Sequence, residues 1–405
     1  MTSTALGSAP HRLLFVGGAF QGIAAILGWL LELSGGLGGF FSSLPLTIPP
    51  LWAHAYLMVY GFFPYFIFGF LFTFFPNWLD AERIPPRHYL FSIFALGSGT
   101  VLFYIGLIVG KNMLLISILL TLLGWGVGTF SLLRILIPAR SPEKIDLSLI
   151  TLLVIFGAVG LFSFFLWLLM NKPIWLNLAR IIGVWFFLLP LVVTVSHLVI
   201  PFFSKSLLKN NRLVQPLSIL PTLLAGLFIR GLMEAMEMRE SVWIPDLFLL
   251  FFALYLSSVW GFWKSIEIKM LFMLHLSFAW FSVGLILEIL QSLTLVLSQG
   301  RVFILGHAPL HALTIGFFAS MVIGMSTRVT LGHSGRPIGP NSSAWKIYLI
   351  FQIAAITRIL ADFFPAGDLL NRGGTEGAAL LWIGGFSFWL IKYGPFLWRP
   401  ALIDQ

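Results

Sequence analysis

Long apolar segments separated by short polar loops run along the whole chain. A helix needs about 20 apolar residues to cross a bilayer, and twelve segments meet this length. Only helices and closed β-barrels satisfy all backbone polar groups in lipid. The segments do not alternate between apolar and polar residues, as barrel strands would, so they predict helices. No loop is long enough for a soluble domain, so we predict one all-α transmembrane domain over residues 1–405. The predicted spans lie near 13–34, 51–75, 89–109, 113–137, 147–170, 175–203, 215–236, 244–264, 269–290, 307–328, 344–364 and 375–396.

The lysines and arginines are divided unequally between the two sides of this predicted bundle. Sixteen lie on the side that holds the N-terminus, five lie on the other side, and three lie inside spans. Loops rich in lysine and arginine stay in the cytoplasm. The asymmetry therefore predicts that both termini are cytoplasmic. Pro64 lies inside the second span and predicts a kink there.

Composition supports a membrane protein and excludes several classes of function. The chain is 59% hydrophobic and 10% charged, with a mean hydropathy of +0.97, far outside the range of soluble proteins. Its net charge of +9 is scattered among loops, which indicates topology and contact with anionic lipid rather than nucleic-acid binding. The absence of cysteine excludes thiolate ligands, iron–sulfur clusters and covalently attached c-type haem.

Six charged residues lie in the outer halves of predicted spans. Charge inside a membrane is costly and is normally paired or faces a cavity. One interpretation is that internal ion pairs hold the helices in register. The other is that the arginines neutralise the carboxylates of a bound cofactor such as haem, while the acidic residues relay protons. The six residues are Arg180, Arg230, Arg358, Glu234, Glu288 and Asp362.

Three histidines share one predicted depth near the outer face. His54 lies in the first turn of the second span, and His307 and His311 begin the tenth. Residues four apart lie on one helix face, so the last two imidazoles point the same way. Two histidines on facing helices are what axial ligation of a b-type haem requires. We therefore predict haem b with His54 and His311 as ligands, or with His307 replacing one of them.

A second group of histidines lies near the cytoplasmic side. His197 and His275 have similar predicted depths, and His333 follows the tenth span in a loop rich in glycine and arginine. Two or three imidazoles could hold copper; the alternative for His333 is an ordinary loop residue. His11 and His88 lie in polar flanks, where we expect them to be solvated.

Several segments resemble the NnrS family. HALTIGFFASMVIGMSTRVTLGHSGRP, at 311–337, resembles the family signature, and similar motifs occur at 51–78, 197–205 and 273–285. The resemblance implies a twelve-span bacterial inner-membrane protein that contains haem and copper and acts in nitric oxide metabolism and tolerance. The matched positions are His54, His275, His311, Arg328, His333 and Arg336.

The predicted function is binding and detoxification or reduction of nitric oxide. Reduction would require electrons from quinol or another donor. Two alternatives remain: a secondary transporter whose charged outer residues line a substrate path, and a membrane sensor or chaperone that binds metal without turnover. The sequence departs from the family pattern at Trp52, Ala55 and His197, where the family has histidine, glutamate and arginine.

Overall fold

A computed structural model of the chain describes residues 7, 9–35, 45–208, 218–338 and 342–399. The described residues form helices joined by short loops, with no strand among them. Two helices contain a π-helical segment, at Ile182–Leu188 and Ala312–Ala319. The α-helices are α1 Pro10–Gly35, α2 Pro50–Val59, α3 Phe63–Trp78, α4 Pro86–Val109, α5 Lys111–Leu136, α6 Lys144–Met170, α7 Pro173–Ile181, α8 Leu189–Leu207, α9 Ile219–Ala235, α10 Trp243–Val259, α11 Phe262–Ser265, α12 Lys269–Leu297, α13 Ala308–His311, α14 Ser320–His333, α15 Ser342–Ala361 and α16 Leu369–Trp398.

Among the described residues, ten continuous helices are long and apolar enough to cross a membrane. The chain is therefore a multi-pass membrane protein. The other two predicted spans correspond to α9 and α10, of 17 residues each, and residues 215–217 lie outside the described residues. A helix of that length extends about 25 Å, less than the roughly 30 Å of a hydrocarbon core. The predicted count of twelve spans is thus not confirmed, and the cytoplasmic location of the termini stays a prediction.

The chain divides into two compact units, each built from separate stretches of sequence. Unit 1 comprises Met1–Phe187, Val329–Arg336 and Phe386–Gln405. Unit 2 comprises Leu188–Arg328 and Pro337–Gly385. The observed helix Ala308–His333 contributes to both units, because the boundary falls between Arg328 and Val329. This division does not test the prediction that the whole chain forms one transmembrane domain.

Irregular backbone occurs in three of the predicted spans. The second span is interrupted between Val59 and Phe63, directly before Pro64, which confirms the predicted kink. The π-helical segment Ile182–Leu188 precedes Pro190, a residue that has no amide hydrogen for the carbonyl four residues earlier. The third irregular segment begins directly after His311. Single π-helical turns often lie at functional sites.

Four spans are more buried than the other six, and these four hold five of the six candidate histidines; the sixth, His307, directly precedes one of them. In their most apolar windows, 78% of residues are buried in Pro50–Trp78, 83% in Pro173–Leu207, 67% in Lys269–Leu297 and 72% in Ala308–His333. The other six windows are 44–50% buried. Polar imidazoles on the most buried helices need partners, so their surroundings decide what each one can do.

Helices α4 and α5 form an antiparallel hairpin in unit 1 whose backbones approach closely at glycines. A Cβ atom at Gly124 would lie 2.8 Å from the amide nitrogen of Leu96 and 2.9 Å from the carbonyl oxygen of Ser92. Both contacts are to backbone, which cannot move aside as a side chain can. By contrast, Gly126 has nothing within 4 Å of its Cβ position. Small residues at such crossings are the usual means of close helix packing in membranes.

We expect Gly124→Ala to destabilise unit 1 by about 1–3 kcal/mol, because the added methyl group forces the α4–α5 backbones apart. The matched variant Gly126→Ala should leave the free energy of unfolding unchanged or raise it by up to about 1 kcal/mol, because alanine favours the helix more than glycine does. Denaturant unfolding of the purified protein, followed by tryptophan fluorescence, measures both values. Equal stability of the two variants would contradict the packing described for this hairpin.

Candidate functional site

His311 is held by an acidic side chain in unit 2. Its Nδ1 atom lies 3.2 Å from Oδ2 of Asp362, and the other oxygen of that carboxylate accepts a hydrogen bond from Arg358 at 2.7 Å. The guanidinium charge favours the ionised carboxylate, which can only accept hydrogen bonds. Nδ1 of His311 is therefore the donor, and in the neutral imidazole Nε2 keeps its lone pair. A carboxylate behind an imidazole is the arrangement that orients histidine ligands of metals.

The backbone around His311 is fixed by a glutamine and a glycine. The side chain of Gln291 accepts a hydrogen bond from the amide of Leu305 at 2.8 Å and donates to the carbonyl of Gly306 at 3.4 Å. Gly306 has a positive φ of 49° and lies next to the Asp362 side chain. This loop leads into α13, where Pro309 occupies the first turn and loses no hydrogen bond there.

An apolar cluster surrounds the start of α13 and includes its first residue. It consists of Leu305, Ala308, Ala312 and Ile359, with Trp280 and Leu287 packed against it. The His311 side chain is 19% exposed and Asp362 is 8% exposed. His307 is more exposed and its ring centroid lies 6.4 Å from that of His311. The predicted shared helix face is thus present, with His311 as its less exposed and hydrogen-bonded member.

His54 lies in unit 1, in a different environment. Its ring is stacked on the indole of Trp29, with ring centroids 4.6 Å apart and an angle of 23° between the planes. The side chain is partly buried at the start of α2. Because His311 belongs to unit 2, the joint ligation of one haem by these two histidines stays a prediction.

Arg230 lies at the centre of a buried acidic cluster in unit 2. Its guanidinium donates to Asp246 at 3.1 Å, to Glu234 at 3.1 Å and to Glu288 at 3.2 Å. The arginine is 1% exposed and Asp246 is 0% exposed. The contacts join α9, α10 and α12, as expected from the interpretation that internal ion pairs hold helices together.

The sequence reasoning missed Asp246, although the signal was present. This carboxylate lies in the first turn of the predicted span 244–264, and a charged residue inside an apolar span is the criterion that selected Glu234 and Glu288. Arg180, the third arginine of the predicted set, is exposed and donates to Asn177 at 3.0 Å. Its predicted role toward a cofactor stays untested.

The histidines that were predicted to lie near the cytoplasmic side are distributed over the two units. His197 and His275 lie in unit 2, where His275 is hydrogen-bonded through Nε2 to Ser204 at 2.9 Å. His197 packs edge-on against Trp260, with ring centroids 5.8 Å apart. Ser204 follows His197 by seven residues on α8, which is about 10 Å along a helix. On α8, His197 therefore lies about two turns away from Ser204, the residue that His275 contacts.

His333 belongs to unit 1, where it lies against His11. The ring centroids of the two histidines are 4.7 Å apart. His11 is only 1% exposed and lies 3.3 Å from the hydroxyl of Thr73. The expectation that His11 is solvated was therefore wrong, because the first turn of α1 is covered by the end of α14 within this unit. His88 is partly exposed, and its Nδ1 lies 3.4 Å from the hydroxyl of Ser131.

Comparison with known protein families identifies the chain. The family described as NnrS protein matches residues 5–401. The chain belongs to the NnrS family. The resemblance predicted from the motif at 311–337 is thereby confirmed. No curated protein matches the chain.

The NnrS resemblance implied haem, and the chemistry of His311 fits a residue that would hold haem iron. Its Nδ1 is engaged by an ionised carboxylate, which leaves Nε2 as the nitrogen available to a metal. Arg230 fits a haem propionate poorly. It is surrounded by Asp246, Glu234 and Glu288, and this excess of negative charge would repel a further carboxylate.

The residues predicted for copper do not form a ready site within the described part of the chain. No group of three or more histidine, aspartate or glutamate side chains is arranged there to hold a metal ion. His197 and His275 make separate contacts in unit 2, whereas His333 lies beside His11 in unit 1. We therefore assign no chemistry to copper.

Proposed function

We propose that this protein binds nitric oxide at a haem held by His311 in the bacterial inner membrane and contributes to detoxifying or reducing the gas. Membership of the NnrS family associates the chain with the response to nitric oxide. The observation that carries the proposal is the hydrogen bond between His311 and Asp362, which prepares one imidazole nitrogen as a metal ligand. When bound, the haem supplies an iron centre to which nitric oxide can bind.

The apolar surroundings of His311 suit a gas that enters from the bilayer. Nitric oxide is small and uncharged, so it needs no polar pocket. Leu305, Ala308, Ala312 and Ile359 pack together around α13, the helix that ends at His311, so this helix has an apolar side. Asp362 orients the ring, and Arg358 holds the carboxylate in place.

Reduction of nitric oxide would also need electrons and protons. We propose quinol or a partner protein as the electron donor. Glu234, Glu288 and Asp362 are the candidate proton carriers; their side chains are 14%, 18% and 8% exposed. Each hydrogen-bonds to an arginine, which holds its carboxyl group in position. If the protein bound nitric oxide without reducing it, the protein would act as a sensor.

Optical spectroscopy tests this proposal. We expect the purified protein to show a b-type haem band after reduction, and we expect nitric oxide to shift that band. Absence of haem from protein purified under haem-sufficient expression would refute the proposal. A haem-free preparation that carries a substrate across vesicle membranes would favour a transporter instead.

A further inference from the structure

The π-helical segment that follows His311 is attached to the neighbouring helix α15 at both of its ends. At its start, Nδ1 of His311 donates to Asp362, the residue directly after α15. At its end, Nε2 of Gln352 within α15 donates to the hydroxyl of Ser320 at 2.7 Å. The segment Ala312–Ala319 comprises all the residues between these two contacts. Its conformation therefore determines how His311 is oriented relative to Asp362.

Gln352 connects this segment to a tryptophan on α12. Its Oε1 atom accepts a hydrogen bond from the indole nitrogen of Trp280 at 2.7 Å, while its Nε2 atom donates to Ser320. An indole N–H can only donate, which fixes the orientation of the amide. The hydroxyl of Ser320 in turn donates to the carbonyl of Ile315, five residues earlier, at 3.3 Å. Gln352 and Ser320 are both buried, where hydrogen bonds are stronger than in water.

The indole ring of Trp280 lies over the backbone of the π-helical segment. A Cβ atom at Gly316 would lie 2.5 Å from Cδ2 and 2.7 Å from Cε3 and Cγ of this ring, so the ring occupies the space that a side chain would need. The same tryptophan packs against the apolar cluster around the start of α13, which includes Ala308 and Ala312. Trp280 thus contacts the chain on both sides of His311.

The number of residues per turn decides where His311 points. A π-helical turn contains more residues than an α-helical turn, because its hydrogen bonds join residues five apart rather than four. Each residue of an α-helix turns the chain by about 100°. If the segment became regular α-helix while Gln352 still held Ser320, the His311 side chain would therefore turn away from Asp362. Helices of the π type are rare, so this segment needs contacts that stabilise it.

We propose that Gln352 and Trp280 are positioning residues for the imidazole of His311. The hydrogen bond between them and the packing of the indole hold Ala312–Ala319 in its π-helical form, and this form keeps His311 on Asp362. Both residues act through His311 and not by contact with a metal. This role rests on the proposed function, since the orientation of the imidazole matters chemically when it binds haem iron.

The test measures the hydrogen bond between His311 and Asp362 in the absence of haem. Full-length protein with isotope-labelled histidine is prepared without haem in lipid nanodiscs, and NMR records the Nδ1–H resonance of His311, assigned from its loss in His311→Ala. We expect Gln352→Leu to shift this resonance to its position in Asp362→Ala, where the carboxylate is absent. Gln352→Leu should also weaken the binding of added haem about tenfold, the lower end of the effect of losing an orienting partner.

A second variant and a matched control separate positioning from a general loss of stability. Trp280→Phe keeps an aromatic ring and removes the N–H donor, so it should fold and shift the His311 resonance in the same direction by a smaller amount. Ser292→Ala is the control. This serine is also buried on α12, and it hydrogen-bonds to the backbone of Arg239 and Trp243. Its replacement should lower thermal stability without shifting the His311 resonance.

An unchanged His311 resonance in Gln352→Leu would overturn the positioning role, and so would an equal shift in Ser292→Ala. The outcome for haem is separate. If wild type binds no haem but Gln352→Leu shifts the resonance, the positioning of His311 stands and the proposed function fails. If wild type binds haem and Gln352→Leu keeps both the resonance and the haem affinity, the proposed function stands and the positioning role fails.

Discussion

Replacing His311 with alanine is expected to remove most of the haem from the purified protein. The substitution deletes the imidazole whose Nδ1 is engaged by Asp362 and whose Nε2 we assign to the iron. Asp362→Asn should keep a hydrogen-bonding side chain of similar size but lose the charge that orients the ring. Loss of such a partner typically weakens metal affinity 10- to 100-fold. Haem content per protein and titration with added haem measure both effects.

His88→Ala is the matched control for this experiment. This histidine is partly exposed, and its one described hydrogen-bonding neighbour is Ser131, so its removal should leave haem content unchanged. His307→Ala should have a smaller effect than His311→Ala, because His307 is the more exposed of the pair. Full haem content in both His311→Ala and His54→Ala would refute the assignment of haem to the predicted outer histidines.

Replacing Arg230 with methionine is expected to destabilise the protein by about 3–5 kcal/mol, the usual effect of removing one partner from a buried ion pair. Asp246, Glu234 and Glu288 would then lie together without their counter-charge. Denaturant unfolding in detergent measures the change. Arg180→Met is the control: that arginine is exposed, and its replacement should change the free energy of unfolding by less than about 0.5 kcal/mol.

A second variant separates charge from shape in the same cluster. Asp246→Asn keeps the size of the side chain and removes one of three negative charges around Arg230. It should therefore destabilise the protein less than Arg230→Met. If Asp246→Asn were more destabilising than Arg230→Met, attraction between Arg230 and Asp246 would outweigh repulsion among the carboxylates. That result would contradict the claim that excess negative charge dominates the electrostatics of the cluster.

The sequence predicted the helical membrane fold and most helix positions because apolar length is a local property. Ten of the twelve predicted segments coincide with long apolar helices among the described residues. The predictions for 215–236 and 244–264 exceeded the observed helices, which end at Ala235 and Val259. The apolar composition of a segment does not define the residue at which its helix ends. Gly261, which has a φ of 91°, lies two residues after the end of the second of these helices.

The arrangement of the site was less predictable because it depends on contacts between distant segments. Depth along a helix correctly grouped His307 with His311, yet the partner that orients His311 is Asp362, 51 residues later. Depth also suggested that His333 would join His197 and His275, whereas packing within unit 1 pairs it with His11. The position of a residue along its helix gives its depth in the membrane. The rotation of each helix about its own axis decides which side chains meet.

Chemical rescue tests most directly the claim that the His311 imidazole is the haem ligand. His311→Gly leaves space for a free imidazole next to Asp362. We predict that the variant loses haem when purified alone, and that added imidazole restores haem binding together with the spectral response to nitric oxide. A His311→Gly protein that keeps its full haem content and the wild-type spectrum without added imidazole would contradict the account.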